Sequence, residues 1–226
     1  MNRRQFVFST LAGVIGLSEL SRVVGQSKAA TPDLGALAET NGLKLFNRGA
    51  SLLIDGNRKG VRLSQAPGDG IAFLPGIEFA NGTIEFDVRG KDVAQQSFVG
   101  VAFHGTEAGA CDAIYFRPFN FRAADPISRS HGVQYHSLPV YTWQKLRTDT
   151  PGKYEQAVSP VPDPNAWFRA RVVIANPKVS VFVGDSKEPC LMVDLLNDRK
   201  KGLVGLWVGN NSGGDFANIA ITPAAG

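Results

Sequence analysis

Apolar and polar positions alternate with a period of two through most of this chain. In Thr83-Ile84-Glu85-Phe86-Asp87-Val88-Arg89, the residues Ile84, Phe86 and Val88 share one face and Glu85, Asp87 and Arg89 the other. Residues 97–104, 112–117 and 132–138 are short apolar runs of the kind buried strands show. Residues 167–175 and 178–184 flank Asn176-Pro177 and predict a hairpin, because proline has no N–H to give to a ladder and suits the turn. Runs at 190–195, 203–209 and 216–221 complete the series, with weaker strands expected at 43–54, 60–65 and 70–79. Beyond residue 30 no stretch keeps a 3.6-residue apolar period over three turns, and 25 glycines and 13 prolines punctuate the chain. Many short strands separated by turn signals predict an all-β fold, an antiparallel sandwich or barrel. We read one such domain over 43–223, preceded by a small, polar, flexible segment over 31–42, with no internal repeat.

Residues 118–165 depart from this pattern. They are rich in Pro, Arg and Tyr and contain one good strand. A long insertion in a compact β domain is usually functional or disordered. Phe119, Phe121, Tyr135, Tyr141, Trp143 and Tyr154 argue for an ordered loop, since disordered segments lack aromatics.

The first thirty residues are of another kind. Arg3-Arg4 precedes a weakly apolar stretch, residues 6–17, which is too short for a membrane span of about 20 residues. Glu19 and Arg22 break the stretch, and Ser27-Lys28-Ala29 fits a small-x-small cleavage site. This outline resembles a twin-arginine (Tat) signal peptide over 1–30 and predicts a periplasmic or secreted protein with no membrane span in its mature form. The leader carries four cations against Glu19, so it holds +3 of the chain's net +4 and leaves about +1 for the rest. No basic run remains, which excludes nucleic-acid binding. In an oxidising compartment Cys111 and Cys190 either pair or stay as two buried thiols.

The strand motifs carry a resemblance. Gly82-Thr83-Ile84-Glu85-Phe86-Asp87-Val88-Arg89, then Phe98-Val99-Gly100-Val101-Ala102-Phe103, then 167–174, 179–183, Gly202-Leu203-Val204-Gly205-Leu206-Trp207-Val208-Gly209 and 216–221 follow one another in order. Over roughly 43–223 this looks like the concanavalin A-like lectin/glucanase superfamily, the laminin-G-like jelly roll. Within it, the chain most resembles exported bacterial domains of the 3-keto-disaccharide hydrolase type. The resemblance implies a jelly-roll sandwich and three alternative roles. The leading one is a carbohydrate-recognition domain that holds a glycan on its concave sheet and the 118–165 loop. The others are a glycoside-cleaving hydrolase and a non-catalytic laminin-G-like interaction module. Family 16 glycosidases carry a catalytic E-x-D-x-x-E strand. Here Glu85-Phe86-Asp87 is followed by Val88-Arg89-Gly90, so the third carboxylate is missing.

Several groups of residues bear on these roles. Glu85 and Asp87 leave one strand face, a spacing open to two-carboxyl glycoside chemistry or to a solvated, Arg-paired surface. Arg117 shares a face with Tyr115 and either binds sugar hydroxyls beside a stacking ring or ties the loop to backbone carbonyls and Glu155. Gln134 and His136 share another face, near Tyr141, Trp143 and Arg147. His136 is the best-placed general acid or base of this group. His131 and His136 are five apart, with no cysteine nearby, and predict no metal site. The loop 209–216, with Asn210, Asn211 and Asp215, is either an Asx-type turn or a site of hard oxygen ligands for the structural calcium that superfamily members often hold. No cofactor is required, and the sequence leaves the oligomeric state open.

Overall fold

The computed structural model describes residues 29–106 and 109–225. The leader expected over 1–30 lies outside the described residues except for its last two. In chain order the elements begin with α1 (Leu34–Glu39), β1 (Lys44–Phe46), β2 (Ala50–Asp55), β3 (Arg58–Ala66), β4 (Gly70–Phe79), β5 (Gly82–Arg89), β6 (Val99–Gly105) and β7 (Asp112–Phe116). The 118–165 segment supplies α2 (Pro118–Phe121), α3 (Pro126–Ser130), β8 (Val133–Ser137), α4 (Trp143–Asp149) and β9 (Glu155–Gln156). The chain closes with β10 (Phe168–Ala175), β11 (Lys178–Val183), β12 (Leu191–Asp194), β13 (Gly202–Val208) and β14 (Ser212–Pro223).

These strands form two seven-stranded antiparallel sheets. The first runs β1-β4-β13-β6-β7-β8-β9 and the second β12-β11-β10-β5-β14-β3-β2. Neighbours in a sheet are mostly distant in sequence, as a jelly roll requires. The expected hairpin is present: Ala175 pairs with Lys178 across Asn176-Pro177.

The period-two pattern sets the core. Ile84, Phe86 and Val88 of β5 are fully buried and meet Val99, Val101, Phe103, Ile114 and Phe116 of the opposing sheet. Glu85 and Arg89 stay partly exposed on the outer face. Burying apolar surface at about 25 cal/mol per Å² is what holds two such sheets together.

The first sheet differs from the second in one respect. Every residue of β6, β7 and β8 is buried. Their inner faces meet the core. Their outer faces form a separate apolar cluster with Ile71, Phe73, Cys111, Tyr115 and Trp207, against which Leu138 packs. Strands buried on both sides read as continuous apolar runs, which is why β6 lacks the alternation of β5, whereas β8 keeps it with Val133 and Tyr135 inward and Gln134 and His136 outward.

The segment expected to be flexible over 31–42 is folded. The Asp33 carboxylate caps α1 by accepting from the Ala36 N–H at 2.9 Å, and Leu34 is buried. Just before it, Ala30 and Ile221 exchange two backbone hydrogen bonds of 2.8 Å. The cap and the apolar anchor outweigh the low-complexity look of the sequence. The two cysteines are unpaired thiols: Cys111 lies in the outer cluster and Cys190 packs against the main core. Among the described residues no helix is long and apolar enough to cross a membrane.

Candidate functional site

A row of side chains crosses the outer face of the first sheet. Ile71, Trp207, Gly100, Tyr115, Gln134 and Glu155 are successive cross-strand partners from β4 through β13, β6, β7 and β8 to β9. A second row, Phe73, Gly205, Ala102, Ala113 and His136, lies beside it. The middle strands thus contribute glycine and alanine to this face, and the floor is low between taller walls. Gly100 has a particular task. With no side chain there, the rings of Tyr115 and Trp207 close over it to a centroid distance of 4.7 Å. A Cβ at that position would stand 2.0 Å from the Ile114 carbonyl oxygen.

The result is a cleft of about 430 Å³ over the low floor. Trp207, Tyr115 and His136 form its base, with His136 edge-on to Trp207 at 5.1 Å. Helix α4 supplies one wall through Trp143 and Arg147, and the turns holding Asp69, Asn210 and Phe98 supply the other. Trp143 is 40% exposed, with the Arg147 guanidinium 5.0 Å from its ring.

Arg117 organises the polar side. Its Nη2 donates to the Tyr115 hydroxyl at 3.0 Å and to Gln134 Oε1, and its Nη1 donates to the His131 carbonyl at 2.8 Å. Tyr115 donates in turn to Gln134 Oε1 at 2.6 Å. Arg147 grips Glu155 with both donors, at 2.9 and 2.6 Å, while Arg117 stays 3.7 Å from the same carboxylate. His131 Nδ1 lies 2.9 Å from Glu155 Oε2, within ion-pair range but off the direction of a hydrogen bond. Arg117 thus braces the loop through the His131 carbonyl, and its guanidinium stands 5.0 Å from the Tyr115 ring and 5.5 Å from that of Phe98.

Three polar atoms here are buried without a protein partner: Gln134 Nε2, His136 Nε2 and Trp207 Nε1. Their side chains are at most 2% exposed. Unpaired buried polar atoms are rare because each costs about 1–3 kcal/mol. Two of these three, His136 Nε2 and Trp207 Nε1, belong to residues that line the cleft, and Gln134 Nε2 lies behind it.

Burial sets the protonation states. Loss of solvent lowers the His136 imidazole to about 3, a shift that the Asp112 charge only partly opposes. It raises the Tyr115 phenol to about 12 and lifts the Asp69 carboxyl above its ordinary value against the pull of Arg48. His136 is thus a neutral ring at physiological pH, away from the range near 7 that suits the general acid or base expected of it.

Of the residues singled out in the sequence, Tyr115, Arg117, His136, Trp143 and Arg147 line the cleft and Gln134 backs it. Tyr141 does not reach it. It packs against the main core and exchanges backbone hydrogen bonds with Ser137. Glu85 and Asp87 are on the outer face of the other sheet. Asp87 accepts from Asn218 Nδ2 at 2.7 Å and from Arg169 at 3.3 Å, with Arg58 at 3.6 Å, and Glu85 lies 3.8 Å from Arg169. They form an Arg-paired surface rather than a catalytic pair within reach of the cleft. Trp207, Phe98 and Asp69 also line the cleft and were not singled out, and Asn210 was singled out only as an oxygen ligand or turn residue. The motif Gly205-Leu206-Trp207-Val208-Gly209 held a signal, a lone bulky ring between glycines of one strand face.

In the loop 209–216, two of the oxygen-bearing side chains have partners within the protein. Asp215 is taken by two arginines: Arg62 at 2.6 and 3.0 Å, and Arg89 at 3.0 and 2.7 Å. Asn210 Oδ1 accepts from the Gly68 N–H at 2.7 Å. Among the described residues no group of His, Cys, Asp and Glu is arranged to hold a metal ion.

Sheet order, strand number and inward alternation define a jelly-roll sandwich of the concanavalin A-like, galectin-like kind. Solved structures similar to it include the carbohydrate-binding module CBM66 from Bacillus subtilis, at a TM-score of 0.53 and 11% identity over 79% of this chain and 97% of that one. A protein of unknown function with a galectin-like fold, also from Bacillus subtilis, gives a TM-score of 0.56 and 13% identity over 88% of this chain and 97% of that one. No protein-family model matches the chain, and no curated protein sequence matches it.

Proposed function

We propose that this domain binds a carbohydrate in the cleft between α4 and the 68–69 and 209–210 turns. The observation that carries the reading is the set of unpartnered buried polar atoms, His136 Nε2 and Trp207 Nε1 at the base of a cleft walled by Trp143, and Gln134 Nε2 behind it. Sugars offer both of the things such a site lacks: hydroxyls for the donors and an apolar ring face for an aromatic. The similarity of fold to a carbohydrate-binding module supports the same reading.

Binding is favoured over cleavage. Glycoside hydrolysis needs two carboxyl groups flanking the bond. Among the described lining residues the cleft has one, Asp69, while Glu155 behind it is held by Arg147. The export expected from the leader belongs to the same proposal, since an exported domain meets polysaccharides outside the cytoplasm.

Calorimetric titration against a panel of oligosaccharides tests the reading. The expected result is saturable binding that Trp143→Ala and Trp207→Phe weaken. No heat from any glycan at about 1 mM overturns it. Release of product from disaccharides would favour the hydrolase alternative.

A further inference from the structure

Resting on the reading of the cleft as a sugar site, we infer that the sugar it takes is acidic, a uronic-acid unit whose carboxylate seats on the cleft floor. Two separate features of the floor point there.

One is the direction of its hydrogen bonds. Arg117 can only donate, so the Gln134 atom that it meets is Oε1, which also accepts from the Tyr115 hydroxyl. The amide orientation is thereby set, and Nε2 is left as a buried donor without partner. Trp207 Nε1 can only donate and is equally unpartnered. Trp207 Nε1 on the floor and Gln134 Nε2 just behind it are therefore N–H groups in want of an acceptor, while Gln134 Oε1 is already in use. A hydroxyl would satisfy such a donor but bring an O–H that needs an acceptor of its own. A carboxylate brings lone pairs and no hydrogen, and so fits these two donors.

The other feature is charge. Among the described residues that line the cleft or bond to its lining, three guanidinium groups, Arg48, Arg117 and Arg147, stand against two carboxylates, Asp69 and Glu155. Glu155 gives both oxygens to Arg147. Arg48 spends its donors on backbone carbonyls, those of Gly68 and Gly209 among them. Arg117, 4% exposed, is left with neutral partners at bonding distance and Glu155 at 3.7 Å. An under-compensated buried cation attracts an anion strongly, because the field around it is weakly screened. Asp69, the carboxyl that lines the cleft, is itself pushed towards its neutral form by burial, which softens its repulsion of a second carboxylate.

The test uses matched ligands. Galacturonate, glucuronate and mannuronate oligosaccharides are titrated calorimetrically beside their carboxyl-reduced counterparts, which keep every ring and hydroxyl and lose only the charge. At least one acidic oligosaccharide is expected to bind ten times or more tighter than its reduced partner, and the ratio is expected to fall with added salt. In Arg147→Gln, Glu155 is free to pair with Arg117, the excess positive charge is gone, and the ratio should drop towards one. Thermal melting of that variant checks that it is folded, and the salt dependence of the parent gives a second readout that needs no substitution. Equal or tighter binding of the reduced forms overturns this inference and leaves the sugar site standing. Absence of binding by both forms, and by neutral glycans, overturns the two together.

Discussion

Burial keeps the His136 imidazole neutral down to about 3, against 6.5 for a free ring. The unfolded chain takes up a proton below about 6.5 that the folded chain refuses, so this residue withdraws stability as the pH falls from about 6.5 towards 3. The full effect is on the order of 5 kcal/mol. Urea denaturation at pH 7 and pH 4 should show His136→Gln losing less stability across that interval than the parent. Trp143 is the opposite case, a ring at a wall and 40% exposed. Trp143→Ala should move the stability by no more than about 0.5 kcal/mol, as surface changes do, while glycan affinity falls at least fivefold. Equal losses of stability and affinity would instead assign Trp143 to the scaffold.

At the scale of the element, strand β6 decides the shape of the floor. Its inner residues Val99, Val101 and Phe103 are large, and its outer ones, Gly100 and Ala102, are small. Gly100→Ala forces a methyl against the Ile114 carbonyl and the Tyr115 Cα, both backbone atoms that cannot swing aside. Overpacking of this kind costs about 1–3 kcal/mol. It should also part Tyr115 from Trp207, visible as a change in tryptophan fluorescence. Strand β7 has a different burden. Its Asp112 accepts from Tyr135 Oη at 2.7 Å and Asn197 Nδ2 at 2.6 Å, with His104 Nδ1 at 3.2 Å. Those hydrogen bonds hold Asp112 below the usual carboxylate range despite burial, which alone would raise it. The carboxylate ties the connection after β12 to the first sheet. Asp112→Ala leaves several buried donors unmatched and should cost about 3–5 kcal/mol, read from the denaturation midpoint.

Across the whole molecule, stability comes from two sheets closing on one core, with no covalent link between the described cysteines. Burial pushes the Cys111 thiol up to about 12 and Cys190 up to about 11. Iodoacetamide at pH 8 should therefore label the native protein slowly and the urea-unfolded protein fast, and reductant should leave the melting temperature unchanged. A reductant-dependent melt would mean that the thiols pair in solution.

The sandwich was legible because period two is a direct imprint of sheet geometry: each residue of β5 names its own face. The same rule could not see the first sheet's outer face. In β6 and β13 the strands are mainly apolar on both sides, and nothing local distinguishes a residue turned to the core, such as Phe103, from one turned to the cleft, such as Trp207. Helix α1 was hidden for the opposite reason. Six residues carry too short a period to detect, and Leu34 is recognisable as an anchor only once Ala30 is seen paired with Ile221.

The candidate site divides along the same line. Tyr115 with Arg117 and Gln134 with His136 stand two apart on adjacent strands, so the sequence alone determined that each pair shares a face. It also determined the all-β class and the aromatic content of the 118–165 segment. Which sheet each pair joined, and what lay beside it, was decided by tertiary structure. Glu85 and Asp87 satisfied the same local rule and came to rest on the far sheet, opposite Arg169. Trp207 reached Tyr115 only because two distant strands flank Gly100. Spacing within a strand is local geometry and passes directly from sequence to structure. The meeting of strands far apart in the chain depends on how the whole core packs, and no short stretch of residues encodes it.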